Sequence, residues 1–403
     1  MIDLQLSDEH EALVSTLGEW GRKDVLPLIH DLDREHRFNR DFLRQMGELQ
    51  LLGICIPEEW GGAGMDYVSL GLACEELEYV DTHLRVILSV HVGLNSMTLW
   101  CWGTDHQKKK YLVPQAKGEK IATYGLTEPN AGSDAAAIQT TARRDGDAYI
   151  LNGEKMWISL ADVADHFLII AYTDKAKKHH GISAFIVERG FPGVTTATIH
   201  GKLGVRAGNT GSIALQDVRV PAKNLLGQEG EGFKIAMSAL DNGRYTVACG
   251  ALGLTEACLE ASVRYANERQ TFGFPIGQHQ LVQQMISKMV QRVEVGKLLC
   301  YQAGWMKNQG LRNTRETSLA KWYCCDASFD SASDAVQIHG AYGYSDEYDV
   351  ERYLRNSKGA VIYEGSREIH QIMQAQYALG YREDRPLRCE LPAYKQEAWE
   401  AEE

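Results

Sequence analysis

The texture of this 403-residue chain changes twice, and that pattern constrains its fold more than any single residue does. Over residues 1–120 apolar side chains recur at spacings of three and four, as in Leu13, Leu17 and Trp20 and again in Leu70, Ala73 and Leu77. Such spacing makes amphipathic helix. Pro57 and the run Gly61-Gly62-Ala63-Gly64 interrupt it with a loop, and Ser7 with Glu9 and Glu11 behind it reads as a helix start. Over residues 121–228 short β-branched and aromatic runs alternate with Gly, Asp and Asn turns: TTARRDGDAYILNGEKMWIS, FLIIAYTD, ISAFIVERG, GVTTATIHG, GSIALQDVRVP. These predict an antiparallel sheet or barrel of about six to eight strands. Long helical patterns return over residues 229–382, broken at Gly273–Gly277 and Tyr342–Tyr348, and predict an antiparallel bundle. Residues 383–403 are polar, contain Pro386 and Pro392, and read as an extended arm.

An α–β–α order excludes the doubly wound nicotinamide enzymes, in which strands and helices alternate and G-x-G-x-x-G closes the first strand. That fingerprint is missing, as are the G-x-x-x-x-G-K-[ST] phosphate loop and the G-x-S-x-G elbow. A formal charge of −12 argues against broad binding to nucleic acid or to anionic membranes. The opening MIDLQLSDEHEALV carries acids where a secretion signal needs cations, and the longest apolar runs, such as Phe167–Tyr172, are of strand length, so no integral membrane segment is expected. Nine cysteines at irregular spacing, without a C-x-x-C pair, predict reduced thiols and a cytoplasmic setting; Cys324-Cys325 falls in a helical pattern and reads as core. H-E-x-x-H is absent and His179-His180 lies in a polar turn, so no metal site is expected.

Several segments carry candidate chemistry. Tyr124–Asp134, YGLTEPNAGSD, opens the β block with a Pro129–Gly132 turn and the hydroxyls of Thr127 and Ser133. It is either a surface turn or a donor-rich edge of the kind a flavin needs. Trp157, in WIS, either packs in the core or lies on a flat heteroaromatic ring. Arg269 stands before the Phe272-Gly273 break with Gln280 on the next helix, and reads equally as a solvated helix end or a phosphate partner.

Taken in order, TEPNAGSD, WIS, KLGVRAGNTG, DNGR, ERQTFG, QIHGAYGYSDEY and IYEGS resemble the acyl-CoA dehydrogenase family over about residues 3–381. The resemblance implies an α+β multidomain fold: a helical N-terminal domain, an antiparallel β middle domain and a C-terminal four-helix bundle. It also implies FAD, a homotetramer, an acyl-CoA substrate and an electron-transferring flavoprotein as acceptor. Glu364 matches the family's catalytic base, removing the α-proton of a thioester while the β-hydride passes to flavin N5. The Glu364 N–H would be one donor to the enolate oxygen, and the following helix start is expected to keep the carboxylate ionised. Tyr124, Leu126, Thr127, Ser133, Trp157, Ile158 and Ser159 match flavin contacts, with Ser366 and Glu368 also on the cofactor side. Arg269, Phe272 and Gln280 match positions reaching the flavin of a neighbouring subunit, and Gln337, Gly340 and Ala341 match the adenosine diphosphate loop, Ala341 replacing the usual second glycine. Asp241 and Arg244 match positions that handle coenzyme A, and Ser133 and Gly365 stand on the substrate side; Lys202, Leu203, Gly204 and Arg206 read as architecture.

The stretch ELEYVDTHLRVILSVHVGL resembles the glutaryl-CoA dehydrogenase subgroup, in which an arginine at the Arg85 position binds the distal carboxylate. Read by itself, Arg85 either pairs with Asp81 one turn away, stands solvated beside a helix cap at Asp81, or serves an anionic substrate. Glu78 and Tyr363 also match decarboxylating members, whereas His83, Leu84 and Val86 depart from the subgroup and leave a short, branched or cyclic acyl group, or an oxygen-using oxidase, as alternatives.

Overall fold

The computed structural model describes residues 5–383, so the arm expected over 383–403 lies, beyond Glu383, outside the described residues. Ser7 does start a helix: its hydroxyl accepts from the His10 N–H at 3.3 Å and the His10 ring takes the Ser7 N–H, capping Asp8–Trp20. Helices Leu26–Arg34, Asp41–Glu48, Tyr67–Val80, Thr82–Leu88 and Met97–Trp102 follow, bound by a core that includes Leu17, Val25, Phe42, Leu70 and Leu77. Two π-helical segments, Gly21–Val25 and Ser89–Ser96, lie between them, and a third, Lys108–Leu112, follows.

The middle domain has eight strands: β1 (Ala122–Gly125), β2 (Thr141–Asp145), β3 (Ala148–Ser159), β4 (His166–Tyr172), β5 (Ile182–Glu188), β6 (Val194–Thr198), β7 (Thr210–Pro221) and β8 (Leu225–Leu226). Their order is β6-β7-β3-β2-β4-β5-β8, with β1 also on β4. The sheet is not wholly antiparallel as expected, because β1 runs parallel to β4 and β2 meets β4 in parallel at Thr141 and Tyr172. The intervening β2–β3 excursion supplies the crossover that parallel pairing of β1 with β4 requires. Strand β4 is buried along its whole length, which is why FLIIAY is a continuous apolar run and not an alternating one.

Three long helices, Gly232–Glu268, Gln280–Asn308 and Thr314–His339, form the C-terminal bundle with the shorter Val350–Ala360 and Arg367–Ala378. The first also packs along Tyr67–Val80, joining the two helical domains. Two segments, Thr82–Trp102 and Gly232–Glu268, are long and apolar enough to cross a membrane by composition, which the search for uninterrupted apolar runs did not reveal. In each the apolar window is mostly buried inside the protein, 89% and 78% respectively, so core packing accounts for it.

The three domains meet at Asp81. Its carboxylate accepts from Arg352 and from Asn356 Nδ2 at 3.2 Å, while Asn356 Oδ1 accepts the Val205 N–H of the middle domain at 2.6 Å. Asp81 therefore pairs with Arg352 and caps Thr82–Leu88 through the His83 N–H. That removes the Asp81–Arg85 pair as an explanation for Arg85, whose ion pair is with Glu78.

Candidate active site

Glu364 occupies the turn between the Val350–Ala360 and Arg367–Ala378 helices, with a left-handed φ of 53°; Gly365 follows at φ 98°. A non-glycine residue there is strained and persists only when its surroundings fix it. The residue is partly exposed, but its Oε2 is sealed from solvent and has no hydrogen-bond partner, while Oε1 accepts from Ser89 Oγ at 3.1 Å. Ser89 Oγ also lies 2.6 Å from Thr246 Oγ1. Burial pushes the Glu364 carboxyl above its ordinary range, against Arg85, Lys321, Ser89 and Arg244, which favour the anion. Desolvation thus outweighs the stabilisation expected at the start of the next helix.

The walls around this carboxyl come from every domain. On Gly232–Glu268, Gly243 faces it so closely that a Cβ would collide with Oε2. One residue on, Arg244 reaches the Glu364 carbonyl from Nε at 3.4 Å and Asp241 from Nη1 at 3.3 Å, placing both coenzyme-side candidates at this wall. The Glu364 N–H has no hydrogen-bond partner among the described residues, as a donor awaiting an enolate oxygen would. Arg85 has no exposed surface; its Nε donates to Glu78 Oε2 at 2.5 Å and its Nη2 to the Tyr363 hydroxyl at 2.5 Å. Gly250 makes room for this pair, since a Cβ there would stand 2.8 Å from Arg85 Cγ and collide with Glu78.

The cofactor candidates form two groups. In the first, the Met156 N–H donates to the Thr127 carbonyl at 2.9 Å and Thr123 Oγ1 to the Ser159 carbonyl at 2.6 Å, so Tyr124–Thr127 and Trp157–Ser159 lie side by side. A slip in the β3–β7 register between Lys155 and Ile158 accompanies a left-handed Trp157, and its indole is 58% exposed. An exposed tryptophan on strained backbone is a platform, not core. Ile158 is buried beneath it, Leu126 is buried, and Ser133 is exposed on the adjoining turn. Tyr124 is buried against Glu364 with an unpartnered hydroxyl. Buried Lys155 secures the group, donating to the Leu126 carbonyl at 3.1 Å and to Glu128 at 2.7 Å.

In the second group the Arg269 guanidinium lies 5.8 Å from the Tyr342 ring centroid, which brings it to the exposed Gln337, Gly340 and Ala341. Phe272 is 91% exposed and Gln280 is exposed beside it. This group is not at Glu364. Arg269 follows Arg244 by 25 residues along one continuous helix, about 37 Å at 1.5 Å per residue. Ser366 precedes the Arg367–Ala378 helix and Glu368 is exposed in its first turn.

Sequence reasoning missed Ser89, Thr246, Lys155 and Lys321 as parts of this site. Only Ser89 gave a usable signal, standing four residues after Arg85 on the same helical face.

A carboxyl sealed beside buried cations, with one oxygen unpartnered and Tyr124 of a donor-rich strand edge against it, is a site suited to proton transfer next to a flat, polar cofactor. Residues 7–119, 123–218 and 230–379 match the N-terminal, middle and C-terminal domains of acyl-CoA dehydrogenase. The short-chain specific acyl-CoA dehydrogenase of Clostridium acetobutylicum is 41% identical over 372 residues, 92% of this chain and 98% of that one. A chain in a structure of the electron transferring flavoprotein of Acidaminococcus fermentans superimposes with a TM-score of 0.92 at 42% identity, covering 94% of this chain and 99% of its own. A glutaryl-coenzyme A dehydrogenase in complex with glutaryl-CoA does so with a TM-score of 0.92 at 40% identity, covering 94% and 97%. The chain belongs to the acyl-CoA dehydrogenase family, and it is an FAD-dependent enzyme acting on CH–CH groups. The residues present fit FAD in their chemistry: Trp157 offers an exposed indole to a flat ring, and the unpartnered Tyr124 hydroxyl with the Thr127 and Ser133 hydroxyls offers polar partners along the same edge.

Proposed function

We propose that this enzyme oxidises glutaryl-CoA, with loss of carbon dioxide to give crotonyl-CoA. The observation that carries the reading is the Arg85 guanidinium, with no exposed surface, touching Tyr363 on one edge and Glu78 on another. A cation so deeply desolvated beside the base is costly, and a distal carboxylate would offset the cost. In this reading Glu364 takes the α-proton through its free Oε2, its N–H and Arg244 hold the thioester end, and Arg85 holds the far end. FAD supplies the hydride acceptor. The bond to the distal carboxyl then breaks, its electron pair enters the conjugated thioester, and the proton on Glu364 goes to the terminal carbon. Electrons leave to an electron-transferring flavoprotein.

A second reading, a short unsubstituted or branched acyl-CoA, is favoured by the ion pair itself, because Glu78 already neutralises Arg85 without any ligand. Turnover with a dye acceptor separates the two. Glutaryl-CoA should exceed butyryl-CoA in kcat/KM, and Arg85→Gln should lower the glutaryl value by about 30-fold or more. A native enzyme that prefers butyryl-CoA overturns the glutaryl assignment. Release of labelled carbon dioxide tests the second step, and rapid reoxidation of substrate-bleached flavin in air would mark an oxidase instead.

The same proposal includes a homotetramer. An arginine about 37 Å along the helix from the base cannot serve the flavin of its own chain, but could serve a neighbour's. Arg269→Ala is expected to release flavin on dilution. Seven of the eight described cysteines are buried and no disulfide forms among the described residues, which supports a cytoplasmic setting.

A further inference from the structure

Lys321 lies on the Thr314–His339 helix with 1% of its surface exposed. Its Nζ donates to the carbonyl oxygens of Ala360 at 2.7 Å, Tyr363 at 2.9 Å and Gly365 at 2.7 Å. An ammonium has three donors, and all three are used on backbone. Unlike buried Arg85, Arg352 and Lys155, each paired with a carboxylate, Lys321 makes no ion pair among the described residues. Burying a cation without a counter-ion is expensive. A scaffold that needed only hydrogen bonds there would do better with a neutral donor.

The three carbonyls flank Glu364, the residue whose left-handed backbone must be held by its surroundings. The carboxyl its charge acts on is that of Glu364, which stands between the second and third of these carbonyls. We propose that Lys321 is the positioning residue for proton abstraction: it clamps the 360–365 turn from below and provides the fixed charge that keeps Glu364 an anion in a sealed site. The proposal rests on Glu364 being the base.

Other groups face this pair from each neighbouring element. Arg244 comes from the Gly232–Glu268 helix, Arg85 from Thr82–Leu88 and Tyr124 from β1. His370 approaches from Arg367–Ala378, and Cys325 lies on the helix of Lys321 itself. Arg85 and Arg244 are committed elsewhere, to Glu78 and to Asp241 with the Glu364 carbonyl. Lys321 is the remaining cation without a carboxylate partner. Burial pushes both Lys321 and His370 toward their neutral forms, whereas three carbonyl acceptors match the three N–H donors of an ammonium.

The test uses flavin-loaded Lys321→Met, Lys321→Gln and Lys321→Arg. Loss of the charge in the first two should lower kcat about 100-fold while KM for the thioester changes less than about threefold. The Glu364 carboxyl, titrated by difference infrared spectroscopy against Glu364→Gln as blank, should move up by about one pH unit, as should the acid limb of the rate profile. Lys321→Arg should restore the native midpoint. An unchanged midpoint in Lys321→Met and Lys321→Gln, with activity falling only in step with flavin content or melting temperature, would overturn the proposal. Activity retained in Glu364→Gln would instead overturn the base assignment, and the infrared titration would still read the charge coupling.

Discussion

The Tyr363 hydroxyl accepts a hydrogen bond from Arg85 at 2.5 Å, and the next residue along the chain is Glu364. The buried cation and the sealed carboxyl thus meet at one turn of backbone. Tyr363→Phe would leave an Arg85 donor without a partner in the interior, at a cost of about 1–3 kcal/mol that urea unfolding of the holoenzyme can measure. If Arg85 receives a distal carboxylate, the same change should lower kcat/KM for glutaryl-CoA about tenfold more than for butyryl-CoA. Equal losses would show that the tyrosine serves stability alone.

Glu364→Gln should be nearly inactive yet melt at a higher temperature than the native enzyme near pH 7. Burial raises the Glu364 carboxyl, so the folded protein binds that proton more tightly than the unfolded chain does. Ionising it costs stability in full above the folded value; the cost shrinks as the pH falls from there and is gone below about 4, where both states are protonated. The gap between the two melting curves should close in that direction. A constant gap would assign it to packing.

His91 gives the opposite slope. It has no exposed surface; its Nε2–H donates to the Gln115 carbonyl at 3.1 Å and its Nδ1 accepts the Ala122 N–H at 3.0 Å, which fixes a neutral ring. Burial pushes it down to about 4. The unfolded chain takes up the proton near pH 6.5 and the folded chain does not, so stability should fall by on the order of 3 kcal/mol as pH drops from 6.5 to 4. His91→Asn should start from a lower melting temperature at pH 7 and show a flatter decline. His370, pushed down to about 3, leaves a residual slope in that variant.

Gly243→Ala would drive a methyl group into the Glu364 carboxyl. Overpacking of this kind costs about 1–3 kcal/mol, but the side chain that must yield is the carboxyl proposed as the base. Turnover should fall at least about 100-fold with flavin content retained, as a dye assay and an absorbance spectrum would show. Near-native turnover would mean the helix moves instead.

Much of this was legible in the residues. Helical and strand periods located the domains, Ser7 marked the first helix, and the IYEGS stretch located Glu364. The parallel pairing of β1 with β4 left no trace, since a strand buried on both faces reads alike in either direction. Trp157 could not be placed because its exposure follows from a register slip set by pairing with β7, not by its own neighbours. Ser89 begins a π-helical stretch, and a period near 3.6 does not distinguish that wider coil from an α-helix. Lys321 was invisible for a related reason: one lysine in a helical pattern is ordinarily a solvated one, and its carbonyl partners are about 40 residues away.

The Gly232–Glu268 helix acts as a ruler. Arg244 fixes one end to the Glu364 carbonyl, and Arg269 fixes the other beside the surface loop of Tyr342. At 3.6 residues per turn, inserting or deleting one residue between them would swing one end by about 100° relative to the other and shift it about 1.5 Å. Natural variation in this stretch should therefore be tolerated in side-chain identity far more readily than in length. A change in residue count in this interval would alter the spacing between the Glu364 turn and the Arg269 loop without changing either.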